Sequence, residues 1–308
     1  SGTLELVPVV RDAGGRGPLA PLVFLVEPDP GRRLARLLSG DVEIAVDLAE
    51  AAVEETRRSA CCRAEVRPST TVEYLHLGWV EPRFRDRRVR EAIHLALDRE
   101  RYVAEAQEGL ARPAGQMAVP GVFGYAPDLR PPERDVVRAR ALLTEAGFPD
   151  GFDVVLEHRP GRRADVLARQ LAEAGLRVTP RASPWSELYR RLRIGQVGFY
   201  FGGVLSPTAE TSDVLDGYVH TRDEARGYGV SNHSRYSSPR ADALIEAAST
   251  TFSVVRRREL LREAMRAVMA DLHFVPVAGL SHVTGVRRGL EFRPRADLKL
   301  LGREMRRR

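Results

Sequence analysis

The stretch Phe84–Val103, FRDRRVREAIHLALDRERYV, decides the fold. Val89, Ala92, Ile93, Ala96 and Leu97 recur at the spacing of one helical face, while Arg87, Arg88, Arg90 and Glu91 occupy the other. Asp98 then interrupts the run, and its side-chain oxygen suits the cap of a second helix beginning at Arg99. The pattern predicts a surface helix, a tight turn and another helix.

Upstream, the sequence reads as a strand over 4–10, a Gly/Arg turn at 14–17 and a strand over 22–26. Asp29 and Pro30 open a helix with Leu34, Leu37 and Leu38 as its buried stripe, and Gly40 ends it. Residues 42–46 alternate as a half-buried strand, and 72–78 form another. Downstream, 112–132 are too rich in proline and glycine for regular structure, and Gly147 closes a helix where positive φ is needed. Strand 152–156, helix 163–174 and strand 176–180 make a β-α-β unit. An amphipathic helix over 185–193, a buried strand over 197–201, a long helix over 257–272 and a strand over 274–279 complete the pattern.

At 308 residues and 43% hydrophobic content, the chain has material for two lobes. No apolar run reaches the ~18 residues of a membrane span. The net charge of +6 does not indicate specific nucleic-acid binding. Lys299 is the one lysine among 48 basic residues, and the arginines are scattered among 42 acids with no aromatic-interleaved basic stripe. Cys61 and Cys62 are adjacent; a vicinal disulfide is strained, so free thiols are expected, and they leave the compartment open.

Five segments in order resemble one family. FRDRRVREAIHLALDRERYV, PDPGRRLARLLSGDVEIAVDL, VPGVFGYAPDLRP, the helix end at 139–151 and YSSPRADALIEAA with the helix and strand after it are together similar to the family 5 solute-binding proteins of ABC importers, the oligopeptide-, dipeptide- and nickel-binding type. The resemblance implies an α/β, two-lobed, periplasmic-binding-protein-like (type II) fold with mixed sheets. Lobe I is then 1–80 with 275–308, and lobe II is 81–274. Ser1 falls near the middle of the family pattern, so the expectation is a chain truncated on its N-terminal side.

The resemblance implies capture of a peptide-like or other polar small solute between two lobes, an extracytoplasmic location and an ABC permease as membrane partner. The glycine-bearing segment 199–213 is then the lining of the ligand site, with Phe201, Gly203, Val204, Leu205, Ser206, Thr208 and Glu210 as contacts. Peptide-binding relatives read G-W-x-x-D-Y here; this chain has Val204 at the tryptophan position and Ser206-Pro207 where the aspartate stands. The usual ammonium anchor is therefore missing, with Glu210 or Asp213 as substitutes, although Asp213 better suits a helix cap. Trp185 and Tyr189, at i and i+4, read equally as core and as pocket border. His158, followed by Arg159, Arg162 and Arg163, is the polar candidate and suits an anionic group. Weak ligand binding is expected of a chain lacking one wall of the pocket.

No GxSxG, P-loop, GxGxxG, CxxC or HExxH is present, and the seven histidines are dispersed, so no catalysis, metal or cofactor is expected. Two other readings share the same fold: a ligand-sensing regulatory module fused to a DNA-binding domain, and a degenerate binder without a transport role.

Overall fold

The computed structural model describes residues 3–6, 22–49 and 51–307. The expected turn at 14–17 and residues 7–10 lie outside them. The chain divides into two compact units, 1–69 with 281–308 and 70–280.

In the first unit, β1 (Thr3–Leu6) pairs antiparallel with β2 (Leu22–Leu25). Helix α1 (Pro30–Ser39) starts as the sequence requires: Asp29 accepts the Arg32 N–H at 2.7 Å, proline fills the first turn, and Gly40 ends it at φ 96°. Leu37 is fully buried. Strand β3 (Ile44–Leu48) and helix α2 (Ala52–Arg58) follow. Next come β4 (Cys62–Leu77) and, at the far end of the chain, β9 (Phe274–Arg287), long strands that each pass from one unit into the other. β3 pairs antiparallel with β9 from Ile44↔Val286 to Leu48↔Val283, with an irregularity after Ala45. Short strands β10 (Leu290–Glu291) and β11 (Arg306–Arg307) also pair.

The second unit contains α3 (Arg87–Ala96), α4 (Arg99–Ala106), β5 (Arg112–Pro113), α5 (Val136–Glu145), β6 (Asp153–His158), α6 (Arg163–Glu173), β7 (Arg177–Ala182), α7 (Trp185–Arg193), β8 (Phe199–Leu205), α8 (Ser212–Val214), α9 (Pro239–Ser249) and α10 (Val254–Ala270). Asp98 caps α4 by accepting the Arg101 N–H at 2.9 Å, so the decisive stretch folds as read. The sheet is mixed, in the order β9-β4-β8-β6-β7 with β5 on β9. β6 and β7 are parallel, joined through α6, whereas β8 runs antiparallel to β4. One face of the sheet buries Leu75, Leu156, Phe199, Phe201 and Val275 against Ile93, Leu97, Leu142 and Leu167 of the helices. The other face buries Tyr74, Val204 and Phe274 against Ile245, Leu261, Met265 and Val268. A strand covered on both faces explains why β8, FYFGGVL, carries no charged residue. Among the described residues no helix is long and apolar enough to cross a membrane.

The sequence reading places 275–279 in the first lobe, but the structure packs this stretch in the second unit. Val275, Val277 and Ala278 join its core, and Ala278 and Gly279 pair with β5. The division falls inside β4 and β9, after Ser69 and Leu280, because these strands continue unbroken through it.

Candidate functional site

Strand β8 carries the candidate site. It pairs with β4 along its length, from Leu77↔Phe199 to Thr71↔Leu205, but with β6 only at Glu157↔Tyr200 and His158↔Phe201. β6 ends at His158. Among the described residues, therefore, no strand pairs with Gly202–Leu205 on the β6 side, and main-chain donors and acceptors there line a free edge. Glycine at 202 leaves room for the Tyr200 ring, whose hydroxyl lies where an added Cβ would stand. Gly203 is exposed and opens the edge further.

The sequence-predicted residues separate into three groups. Phe201 (7% exposed) and Val204 (1%) have their side chains in the two cores, so they offer a ligand backbone atoms alone. His158 is also buried, and its Nδ1 lies 2.7 Å from the Arg159 carbonyl oxygen, which makes that nitrogen the donor. Ser206 is bound through its backbone, its N–H donating to Thr70 O at 3.2 Å and its carbonyl accepting from Thr70 Oγ1 at 2.8 Å. Its own Oγ is buried without a partner. Leu205 is half-buried at the end of the strand.

Thr208 and Glu210 stabilise the loop beyond the strand. Asp213 accepts from the Thr208 N–H at 2.9 Å and from its hydroxyl at 2.7 Å, so it ties the loop and does not cap α8 as the sequence suggests. Thr211 precedes that short helix without a side-chain capping bond. Glu210 accepts from Arg257 Nη2 and Ser212 Oγ, each at 2.9 Å, beside a hollow of about 400 Å³ lined by Phe123, Phe252 and Arg257. Its charge is already met, which removes it as a replacement ammonium anchor. The same holds for part of the arginine cluster after His158: Arg163 donates to the buried Glu73 at 2.8 Å, alongside Tyr102 and Gln107 at 2.7 Å each. Burial raises the pKa of Glu73 despite the opposing Arg163 charge.

Trp185 and Tyr189 form the third group. They are 45% and 37% exposed, with ring centroids 5.2 Å apart, and Tyr189 meets His233 edge-on at 5.5 Å. On the adjoining strip of the same side of α7, Leu188 and Leu192 are buried with Val197 and Tyr200, and the half-exposed aromatic pair flanks that strip as a shelf at the surface. Glu157 fixes the helix: Arg191 donates to its two oxygens at 2.7 and 2.8 Å, and Arg181 also pairs with it. Burial acts to raise the Glu157 pKa, yet the two guanidiniums outweigh it and hold the carboxyl below its usual range. Beside the shelf lies a hollow of about 370 Å³ lined by Ser186, Tyr189, Arg190, Arg193, Ile194 and Arg222.

Sequence reasoning singled out neither Tyr218 nor His233, and it took Tyr200 only as part of the segment 199–213. Burial pushes the Tyr200 phenol up to about 12, with the Arg159 charge opposing and Tyr218 adding to the shift. Burial likewise raises Tyr218, next to Tyr189, and lowers His233, next to Arg222 and Arg193. The alternation of 199–201 carried the signal: Phe199 and Phe201 share a face, so Tyr200 must point to the other.

The family model for bacterial extracellular solute-binding proteins, family 5, middle region, matches residues 12–226. The chain belongs to that family. This family 5 chain is 28% identical over 270 residues to the probable di/tripeptide-binding protein 5 of Pseudomonas aeruginosa, covering 86% of the chain and 51% of the relative. It is 23% identical over 273 residues to heme-binding protein A of Haemophilus influenzae, covering 86% and 49%. The chain spans about half the length of these curated relatives. Its fold matches that of the periplasmic binding protein DppA from Helicobacter pylori in complex with the peptide STSA, at a TM-score of 0.86 and 20% identity, over 99% of this chain and 60% of that one.

Proposed function

We propose that this family 5 chain is the solute-binding part of an ABC-type importer, acting outside the cytoplasm. It captures a peptide-like or other polar small solute, passes it to a membrane permease, and makes or breaks no bond in it. The observation that carries the reading is the free edge at Gly202–Leu205, next to a helix whose exposed aromatic pair is anchored by a buried ion pair. An extended ligand main chain can add to such an edge, with side chains or rings resting on the aromatic shelf.

The relatives named for di- and tripeptides support a peptide-like ligand, but the charges here favour a different anchor. Glu210 and Asp213 are engaged, and Ser206 has no charge. A solute ammonium group buried at this point would stay unpaired and costly. Arg190, Arg193 and Arg222 border the shelf instead and suit a solute carboxylate.

Titration calorimetry against di-, tri- and tetrapeptides, free and N-acetylated, tests this. Acidic peptides should bind, N-acetylation should change affinity by less than about threefold, under 1 kcal/mol, and Trp185→Ala should weaken binding about tenfold or more. Strong dependence on the free amino group, or indifference to Trp185→Ala, contradicts the reading.

A further inference from the structure

Cys61 and Cys62 stand at the bend between α2 and β4, in the first unit, and none of the residues assigned above is among their contacts. Both are free thiols; Cys61 is half-buried and Cys62 fully buried. Their sulfurs are 2.7 Å apart, in direct contact and well beyond the ~2.05 Å of a disulfide. Ser59 Oγ lies 2.9 Å from the Cys61 sulfur, and the Leu38 and Leu37 carbonyls lie 3.8 and 3.7 Å from Cys61 and Cys62. Arg287 completes the surroundings, donating to Leu37 O at 3.1 Å.

We propose that this pair is a dithiol site for trivalent arsenic species, arsenite or an organic arsenical, independent of the solute site. Hydrogen bonds from Cys62 and Ser59 lower the Cys61 pKa, while burial first, and then Cys61, raise Cys62 to about 11. The shared proton thus sits on Cys62, which leaves Cys61, the accessible member, as the nucleophile.

The reaction balances without any change of oxidation state. The Cys61 thiolate attacks arsenic in R–As(OH)₂, an S–As bond forms and hydroxide leaves. Cys62 gives its proton to that hydroxide, and the second S–As bond forms as the other hydroxyl leaves. That hydroxyl takes up the proton that Cys61 lost to solvent, so two thiols and one R–As(OH)₂ yield the cyclic dithiolate and two waters. The second bond is intramolecular, which makes the adduct a chelate.

Three features favour this ligand class over a metal cation. Among the described residues no group of three or more histidine, cysteine or acidic side chains can hold a metal, whereas zinc wants four ligands. The Arg287 charge opposes a cation but not the neutral arsenic hydroxide. Bridging by arsenic also lets the sulfurs move slightly apart, where a disulfide would force them together across adjacent residues.

The test treats the full reduced, desalted chain with phenylarsine oxide and reads intact mass. One phenylarsenic group per chain is expected, formed with loss of water, removable by the dithiol 2,3-dimercaptopropanol and resistant to a monothiol. Cys61→Ser and Cys62→Ala should each weaken retention about 100-fold or more, and Trp185→Ala should leave it unchanged. Because Cys62 is buried, Cys61→Ser at the accessible position supplies the variant that does not disturb the core. No adduct, retention by both single variants as strong as the parent's, or a pair already closed as a disulfide that reductant does not open would each overturn the proposal.

Discussion

His273→Phe should make the protein less sensitive to acid. His273 is buried with both ring nitrogens unpartnered, stacked on Tyr236 at 5.0 Å, and its pKa is well below the usual value, from burial first and then from the His76 and Arg90 charges. A folded-state pKa below the unfolded one means that the unfolded chain takes up the proton first, so stability falls as pH drops through the unfolded value of about 6.5. At pH 5 the unfolded imidazole is protonated about 30:1, which costs the folded state about 2 kcal/mol per ring, RT ln(1 + 10^1.5). His76 and His94 are both lowered to about 3, chiefly by burial, so the three rings together remove about 6 kcal/mol between pH 7.5 and 5. That is a large part of a total near 5–15 kcal/mol. Asp216, pushed up to about 6 by burial, works in the opposite direction and is common to both proteins. Urea unfolding at intervals from pH 7.5 to 5 should show the variant gaining on the parent, with the gap widening by about 2 kcal/mol at pH 5. Phenylalanine should also add about 1 kcal/mol at pH 7.5 by ending the unpaired burial. Parallel pH curves would refute the reasoning, because they require the His273 ring to be protonated or hydrated in the folded protein.

Glu157→Ala leaves Arg191 without its buried carboxylate and should cost about 3 kcal/mol by urea unfolding, with solute affinity falling alongside as α7 loses its anchor. Gly151→Ala places a Cβ on the Gly175 carbonyl oxygen at φ +66° and should cost about 2–4 kcal/mol, without changing ligand preference in the protein that still folds. Gly202→Ala must displace the Tyr200 ring, so calorimetry should show weakened solute binding while the circular dichroism spectrum stays that of the parent.

The fold was largely legible in the sequence because its signals are local. Asp29, Asp98, Gly40 and Gly147 mark helix ends by their own chemistry, and the apolar stripe of α3 repeats within ten residues. Boundaries that depend on pairing were less visible: β4 begins at Cys62, ten residues ahead of the strand expected from 72, because it is held by partners distant in sequence. The site was legible only in part for the same reason. The face on which Trp185 sits follows from Leu188 and Leu192, but its exposure depends on what α7 packs against. That Glu210 is neutralised by Arg257, 47 residues away, is written in tertiary structure alone, and that Asp213 accepts from Thr208 follows from how the loop turns back on itself.

Amide hydrogen exchange with and without a bound acidic peptide, chosen from the calorimetric panel, tests the central claim most directly. If the ligand adds to the free edge of β8, amides within 199–206 gain protection together with those of 185–193, and the hollow beside Glu210 and Arg257 is unchanged. A peptide that binds by calorimetry yet leaves 199–206 unprotected, or protects the segment around Phe123 and Arg257 instead, would contradict the account.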